Sequence, residues 1–355
     1  MARAATGRGT GATPSRAARA AVRAACRALE AAPGVLVLAG VGAPGRAAEE
    51  LAAGAAELAP EAAVLAFGTR GARDAEGVVD EGAVLALALN TPARVAAGSA
   101  EDAGALGEAL RHRPARPLVV LGQRGLTPAA LAAFAAGAET PHIVGGTPGA
   151  GGLASCAAGA APREAPLAAL RLEGGLRLAR EVAASVRTLG PERRVSACAE
   201  GFVRTLDDAP ALRCLSEAAQ QTSGRPLVLV RIARPGEGAI LRGIGGVDPR
   251  RGAIYVGQDV REGDSLAYVT PDPEGEHEAF SGALARLHAG LAGGLPVLLL
   301  GWLSAGASRR RRIVPRATGA TATFAVETSA EVAPAEPTVR LAGHSNVLGL
   351  LFAPS

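Results

Sequence analysis

The residues whose types and spacing best suit a chemical role form the run Gly40-Val41-Gly42-Ala43-Pro44-Gly45. This run follows a strand-like segment and precedes a helix-like one, which is the context of a dinucleotide-binding turn. In that interpretation the pyrophosphate sits at the helix N-terminus. However, the next strand-like segment ends at Phe67-Gly68-Thr69-Arg70, and no acidic residue is there to hold a ribose hydroxyl. We therefore favour a structural turn and keep a nucleotide-dependent enzyme as the alternative.

Side chains suited to metal binding or nucleophilic catalysis are scattered along the chain. The five histidines are His112, His142, His277, His288 and His344. None of them has metal-ligand spacing to another histidine or to a cysteine. No GxSxG nucleophile elbow occurs, and the absence of lysine excludes Schiff-base chemistry and a Walker lysine. The sequence therefore predicts no enzyme, no metal site and no cofactor.

The densest charge run is Arg309 to Arg312, and it has two interpretations. Such a run can dock an acidic partner, which would make the chain a protein-docking scaffold without a ligand. We favour a solvated turn before the strand-like segment from Ile313, because the run is short and isolated. The net charge of +4 is mild for 355 residues, and interleaved aromatic residues are missing, so no nucleic-acid partner is expected.

Cysteine usage and hydropathy predict a cytoplasmic protein without a membrane span. Cys26, Cys156, Cys198 and Cys214 show no CxxC spacing and are expected to be reduced thiols. Cys156 lies in a glycine-rich segment and is expected to be the most exposed thiol. No run approaches the roughly 18 apolar residues that a transmembrane helix needs.

The first third of the chain alternates helix-like and strand-like segments, as α/β proteins do. Predicted helices span Ser15 to Ala31, Arg46 to Leu58, Ala100 to Arg111 and Pro128 to Ala136. Predicted strands span Val35 to Leu38, Ala63 to Phe67, Val84 to Leu89, Leu118 to Leu121 and His142 to Val144. From Leu170 onward several short strands follow one another, which favours antiparallel pairing.

Beyond a candidate domain boundary at Gln221 to Pro226, further strands and one helix are expected. The strands lie near Leu227 to Ile232, Ala239 to Ile244, Ala253 to Val256, Leu266 to Val269, Val297 to Leu300, Thr321 to Val326 and Val347 to Phe352. The helix spans Glu276 to Ala292. We predict an α+β or α/β fold with layered, mixed and largely antiparallel sheets, flanked by helices in two lobes.

The most distinctive stretch is 181 to 264. Two strand-like runs, Arg194 to Glu200 and Gly201 to Leu206, lead into Leu206-Asp207-Asp208-Ala209-Pro210-Ala211-Leu212. There the two aspartates are expected to cap a helix whose first turn holds Pro210. Arg242 to Pro249 and Gly252 to Gly257 then suggest a strand, a tight turn and a second strand.

This order of motifs resembles the FIST family, which has an N-terminal and a C-terminal FIST domain. The segment Leu206 to Leu212 is similar to the family's LDGxPAL element, in which Asp208 replaces the glycine. Pro141-His142-Ile143-Val144-Gly145-Gly146 is similar to the family's pVvGG element. The first 17 residues are rich in arginine and lack an apolar segment, so we expect a disordered basic tail over 1–17. The resemblance implies a FIST N-like domain over 18–222 and a FIST C-like domain over 223–355.

The resemblance also implies a non-enzymatic, intracellular, bacterial sensory module that binds a small ligand such as an amino acid. A zwitterion needs one cation, one anion and backbone amides. The expected pocket lies between sheet edges, near Thr69 and the turn at Gly145 and Gly146, with Arg242 and Glu327 as polar anchors. Since no kinase, cyclase or receiver motif is present, the output would pass to a separate signalling protein.

Overall fold

The computed structural model of the protein describes residues 2–42, 47–123, 126–148, 152–222, 227–258, 260–291, 293–304, 320–335, 338–342 and 346–354. Within these ranges the strands form three sheets with mixed, mostly antiparallel pairing, and six helices pack against them. This architecture confirms the predicted α+β class. No helix in these ranges has the length and apolar character that a bilayer crossing requires.

Unit A, at the N-terminus, is a β-α-β-α-β segment with a returning strand. Its elements are β1 (Ala4–Gly9), α1 (Pro14–Leu29), β2 (Val35–Val41), α2 (Ala47–Ala56), β3 (Ala63–Thr69), β4 (Ala72–Asp74), β5 (Gly77–Val78) and β6 (Val84–Leu89). β2 and β3 are parallel, and β6 lies antiparallel between β1 and β2. The order of these strands is therefore β1-β6-β2-β3.

Unit B repeats this arrangement with the next part of the chain. Its elements are β7 (Ala93–Gly98), α3 (Ala103–Leu110), β8 (Leu118–Gly122), α4 (Pro128–Ala138), β9 (Ile143–Pro148), β10 (Leu153–Cys156), β11 (Arg163–Glu164) and β12 (Leu167–Leu172). β8 and β9 are parallel, and β12 lies antiparallel between β7 and β8. The order β7-β12-β8-β9 matches that of unit A.

Unit C begins with β13 (Arg177–Ala183) and is then interrupted by an inserted sheet. The insertion comprises β14 (Val186–Ala199), β15 (Phe202–Leu206), β16 (Ala209–Pro210), α5 (Ala211–Gln220), β17 (Leu229–Ala233), β18 (Ile240–Gly243), β19 (Gly246–Asp248), β20 (Ala253–Tyr255) and β21 (Ser265–Pro271). Its strand order is β18-β17-β21-β14-β15-β20-β19, with β16 beside β15.

After the insertion, unit C resumes and completes the same pattern. The remaining elements are α6 (Glu276–Ala289), β22 (Leu295–Leu303), β23 (Ala322–Ala335), β24 (Thr338–Ala342) and β25 (Asn346–Ala353). β22 and β23 are parallel, and β25 lies antiparallel between β13 and β22. The described strands of the three units thus share one order and one pattern of pairing.

The three units are joined by backbone pairing at their third strands, β3, β9 and β23. β10 of unit B pairs with β3, β4 of unit A pairs with the first half of β23, and the second half of β23 pairs with β9. Each third strand thereby gives its free edge to another unit, and the three pairings close a ring. Because open strand edges invite unwanted association, ring closure protects all three.

An apolar core fills the centre of the ring, where the second strands of the three units meet. A residual cavity of about 10 Å³ lies there, lined by Val37 of β2, Val119 of β8, Leu298 of β22 and their neighbours. That volume admits one water molecule at most, so the centre is packed rather than a binding site. Trp302 and Phe324 supply its largest side chains.

Gly145 and Gly146 let the backbones of β8, β9 and β23 approach each other closely. Gly145 has a φ of 149°, and an added β carbon would overlap the carbonyl oxygen of Val120. A β carbon at Gly146 would overlap the carbonyl oxygen of Ala330. Gly146 is therefore required where β9 meets β23 in the ring closure, and Gly145 is required by the pairing of β8 with β9 inside unit B.

We expect Gly145→Ala to lower the free energy of unfolding by about 3 kcal/mol or more, because φ strain and overpacking add. Gly77→Ala is the matched control, since Gly77 has a φ of 132° and nothing lies within 4 Å of an added β carbon. The control should lose only about 1 kcal/mol, from backbone strain alone. Urea unfolding of both variants measures the difference, and equal losses would contradict the packing argument.

The prediction of a disordered tail over 1–17 is wrong, because this segment contains β1 and the start of α1. β1 pairs with β6 from Ala4↔Leu89 to Gly9↔Val84, and Thr13 caps α1 by accepting a hydrogen bond from the Arg16 amide. The small residues of this segment suggested disorder, but they serve close packing. An added β carbon on β1 would overlap the backbone of α1 at both strand glycines.

Deleting residues 2–10 should therefore destabilise the protein by on the order of 3 kcal/mol or more, since a six-residue strand ladder is lost. Thermal unfolding with circular dichroism measures the effect. A true disordered tail would leave the melting temperature unchanged.

The predicted helix cap at Asp207 and Asp208 is also wrong. Leu206 pairs with Ala209, so the two aspartates form a two-residue hairpin turn between β15 and β16. Their φ values of 47° and 65° are those of a type I′ turn, which short polar residues tolerate. Helix α5 starts directly after Pro210 and has no side-chain cap.

Strands from both sides of the predicted domain boundary at 222/223 share two of the three sheets. β13 pairs with β25, and β14 pairs with β21. The two predicted lobes are therefore not separate sheets. The assignment of 18–222 and 223–355 to two family domains remains a prediction about the sequence.

Candidate ligand-binding site

A cleft of about 400 Å³ opens where units B and C meet the inserted sheet. We call it the junction cleft. Its described lining residues are Thr127, Pro128, Arg242, Gly243, Gly245, Tyr255, Val256, Gly257, Gln258, Ser329, Ala330 and Ala342. The volume falls in the lower part of the range of small-molecule sites.

The position of the junction cleft follows from the topology of unit B. The parallel strands β8 and β9 end at Gly122 and Pro148, and α4 begins at Pro128. Ligands of open α/β sheets bind outside the carboxyl ends of parallel strands, because side chains and helix N-termini converge there. The junction cleft lies at this edge, with the inserted sheet as its opposite wall.

Arg242 is the one charged side chain among the described lining residues of the cleft. It lies on β18, where it pairs with Val230 of β17, and it is half-buried. A guanidinium binds a carboxylate through two parallel hydrogen bonds. The cleft lining therefore includes a side chain of the kind that recognises carboxylates.

Tyr255 forms a rigid wall of the cleft. Its ring centroid lies 5.1 Å from that of Phe202, at an interplanar angle of 59°. An added β carbon would come within 2.7 Å of the ring at Gly201 and within 3.0 Å at Gly245. The ring is thus held between two glycines, where no other residue would leave room for it.

The remaining wall belongs to the ring junction. The hydroxyl of Ser329 donates to the carbonyl of Thr147 at 3.2 Å, which ties β23 to β9. Next to it, Thr328 Oγ1 lies 3.1 Å from Glu331 Oε1 and 3.3 Å from the carbonyl oxygen of Leu303. Backbone and hydroxyl contacts therefore fix this wall before any ligand enters.

Four of the five sequence-predicted site residues gather at this junction, behind the cleft. Thr69 is fully buried, and its Oγ1 lies 2.9 Å from the carbonyl oxygen of Glu327. The side chain of Glu327 is buried too, and its amide donates to the carbonyl of Gly71 at 2.8 Å. Gly145 and Gly146 occupy the adjoining strand β9.

Arg242 is the fifth predicted residue, and the structure places it apart from those four, in the cleft lining. Sequence reasoning missed Tyr255, Ser329 and Thr127. Tyr255 lay within the distinctive 242–257 stretch, and Thr127-Pro128 carried a helix-start signal. Neither signal shows that the side chain will line a cleft.

A buried ionic network holds the inserted sheet against unit C. Arg234 makes a bidentate pair with Asp264, at 2.9 and 3.1 Å, and lies 3.3 Å from Glu237. Glu237 in turn lies 4.0 Å from the guanidinium of Arg340 on β24. Hydrogen bonding to Asp264 raises the pKa of Arg234, so this guanidinium stays ionised.

We expect Asp264→Asn to lower the free energy of unfolding by about 3 kcal/mol, because it leaves a buried guanidinium without its full countercharge. Glu217→Gln is the control: Glu217 pairs with Arg213 on an exposed helix face, and its loss should cost at most about 0.5 kcal/mol. Chemical denaturation compares the two. Similar losses of unfolding free energy would show that the buried ion pair stabilises the protein no more than the exposed one does.

Two other sequence motifs lie partly or wholly outside the described residues. In the Gly40 to Gly45 run, residues 40–42 are described and 43–45 lie outside the described residues, as do Arg309 to Arg312. No group of three metal-ligating side chains occurs in the described ranges. Cys156 was expected to be the most exposed thiol, which is wrong. It is 5% exposed because β10 pairs with β3, and burial raises the pKa of its thiol.

Comparison with known families matches the N-terminal part of the chain to a domain family. A family model described as the FIST N domain matches residues 35–209. The matched range starts at β2 and ends at β16, so it contains most of unit A, all of unit B and the first part of unit C. No curated protein matches the chain.

Proposed function

The chain belongs to the FIST family, a family of sensory domains in signal transduction, and we propose that it senses a small carboxylate-bearing ligand in the junction cleft. Amino acids are one such class. The observation that carries the proposal is the position of Arg242, which lines a cleft at the carboxyl end of the parallel strands of unit B. A sensory domain needs a site of this kind for its input.

The chemistry of the cleft supports binding rather than catalysis. Ser329 and Thr127 bring hydroxyl groups to the described lining, but no histidine or carboxylate accompanies them there. A serine or threonine nucleophile needs such a base. Thr127 also uses its hydroxyl to accept the Ala130 amide at 3.1 Å. We therefore propose a non-enzymatic module.

Two further parts of the proposal concern the surroundings of the protein. All four cysteines are unpaired in the structure, which supports a reducing, cytoplasmic location. The output would pass to a separate signalling protein, because the sequence carries no output motif of its own. The inserted sheet forms one wall of the cleft, so a ligand there contacts both the inserted sheet and the ring.

Titration calorimetry with a panel of amino acids and small organic acids tests the proposal. We expect at least one carboxylate to bind the wild type, and Arg242→Gln to abolish that binding because the bidentate partner is lost. At about 100 times its dissociation constant, the ligand should stabilise the fold by about 2.7 kcal/mol.

Arg251→Gln is the matched control for this experiment. Arg251 lies in the β19–β20 hairpin, its side chain is 67% exposed, and it is not in the cleft lining. The control should bind as the wild type does. Unchanged affinity in Arg242→Gln would remove the junction cleft from consideration, and binding of an adenine or nicotinamide nucleotide would favour the enzyme alternative.

A further inference from the structure

Independently of the junction cleft, we infer that the outer surface of unit A is a contact surface for a second copy of this chain. Helices α1 and α2 form this surface, which we call the paired-helix face. Three properties carry the inference. Helix α1 presents a row of arginines, helix α2 presents a row of glutamates, and the two helices touch on the same side of one sheet.

The arginine row follows from the spacing of residues in α1. Its four members are Arg16, Arg19, Arg23 and Arg27. Because they recur at intervals of three or four residues, they share one side of the helix, while Val22 and Ala25 bury the opposite side. The row is about 16 Å long at the rise of an α-helix. Helix α1 contains no acidic residue, so nothing within the helix neutralises the row.

Most of the arginine row lacks a countercharge from its surroundings as well. Arg16, Arg23 and Arg27 are exposed, and none of the three forms an ion pair with a described residue. Arg19 is half-buried and pairs with Glu57 at 2.5 Å. Like charges on one side of a helix repel each other, so carboxylates that approach this row from outside are favoured.

Helix α2 carries the opposite charge. Glu49 and Glu50 lie in its first turn, Glu57 follows its last residue, and all three side chains are exposed. Glu49 and Glu50 form no ion pair with a described residue. The described residues of α2 include no basic side chain, and Arg46 before them lies outside the described residues. The glutamate row is about 12 Å long, which is comparable with the arginine row.

Both rows belong to one surface because both helices pack on the same side of the sheet. Their buried residues contact Leu36 and Leu38 of β2, whereas Val37 between these two points into the ring core. The helices also touch each other. A β carbon added at Gly54 of α2 would overlap the carbonyl oxygen of Ser15 in α1. The paired-helix face is therefore a continuous outer layer of unit A.

A surface with one basic row and one acidic row is complementary to itself. In a twofold dimer each copy contributes the same patch. The arginine row of one copy can then lie on the glutamate row of the other copy, and the reverse contact forms at the same time. A nucleic acid or an anionic membrane would also meet the arginines, but the neighbouring glutamates would repel it. Charge complementarity therefore favours a second copy as the partner.

Small side chains beside the charged rows permit close approach of the second copy. Ala20 and Ala24 of α1 and Ala53 and Ala56 of α2 are half-buried. Arginine is enriched at protein interfaces, where its guanidinium binds a carboxylate through two parallel hydrogen bonds. Since such pairs at a helix surface remain close to solvent, the association should be sensitive to salt.

Sedimentation velocity of the full chain tests the inference. We expect a concentration-dependent dimer, and its dissociation constant should rise at least tenfold between about 50 and about 500 mM NaCl, because salt screens exposed charges. A wild-type chain that stays monomeric at every concentration in low salt would overturn the inference. A dimer whose dissociation constant does not change with salt would also contradict it.

Charge reversal identifies the surface. Arg23→Glu with Arg27→Glu makes half of the arginine row acidic, and Glu49→Arg with Glu50→Arg makes most of the glutamate row basic. Each double variant should associate with itself at least about tenfold more weakly than the wild type, because like charges then face each other. A one-to-one mixture of the two variants should recover association, since each presents the charge that the other needs. If the mixture stays monomeric, the rows do not contact each other.

Arg250→Glu with Arg251→Glu is the matched control. Both residues are exposed in the β19–β20 hairpin of the inserted sheet, and the control changes the net charge as much as the α1 variant does. It should dimerise as the wild type does, and equal weakening in both would contradict a specific surface. Circular dichroism checks that each variant is folded. If the α1 reversal unfolds the chain, Arg23→Gln with Arg27→Gln replaces it, and unchanged association there would overturn the inference.

Discussion

The closure of the ring through the third strands is the constraint on which the rest of the structure depends. β3, β9 and β23 each pair with a strand of a neighbouring unit, and no unit has an alternative partner for that edge among the described strands. The pairing is made by backbone groups, so its tolerance for added volume is small. Gly146 leaves room for β23 on one side of β9, and Gly145 leaves room for β8 on the other side. Threonine and serine hydroxyls then bind the carbonyls that remain, as Thr69 and Ser329 do.

The ring and the inserted sheet contribute different parts of the junction cleft. The ring supplies backbone held by strand pairing, including one wall of the junction cleft. The inserted sheet supplies the side chains that would recognise a ligand, chiefly Arg242 and Tyr255. The ion pair of Arg234 with Asp264 lies within the inserted sheet, and Glu237, which also contacts Arg234, lies 4.0 Å from Arg340 of unit C. This charged group therefore connects the inserted sheet to the ring.

Much of the fold could be predicted from hydropathy, and the limits are physical. Val35 to Leu38 and Leu118 to Leu121 were found because strands buried on both faces are continuously apolar. β1 was missed because alanine and glycine give no hydropathy signal, although close packing against α1 requires them. The threefold repeat was missed because topology, rather than side-chain identity, is what the units share.

The candidate site was harder to predict than the fold. Sequence can nominate glycine-rich turns, but it does not show which turns face solvent. The predicted turn at Gly145 is buried at the ring junction, whereas Arg242 reached a cleft. The cleft unites residues more than 200 positions apart, Thr127 and Ser329 among them, and only the ring closure brings them together. Local sequence patterns do not show which distant strands will pair.

The inserted sheet enters and leaves unit C at one place, since Val186 at the start of β14 pairs with Pro271 at the end of β21. Because its two ends lie side by side, such a segment can be exchanged in evolution without moving the elements that flank it. Recombination or gradual divergence within it leaves the scaffold's connectivity intact, and a short connection would suffice to close the gap in its absence. The side chains that the inserted segment places at the proposed cleft can therefore change in evolution while the remaining three-quarters of the chain keeps its sequence.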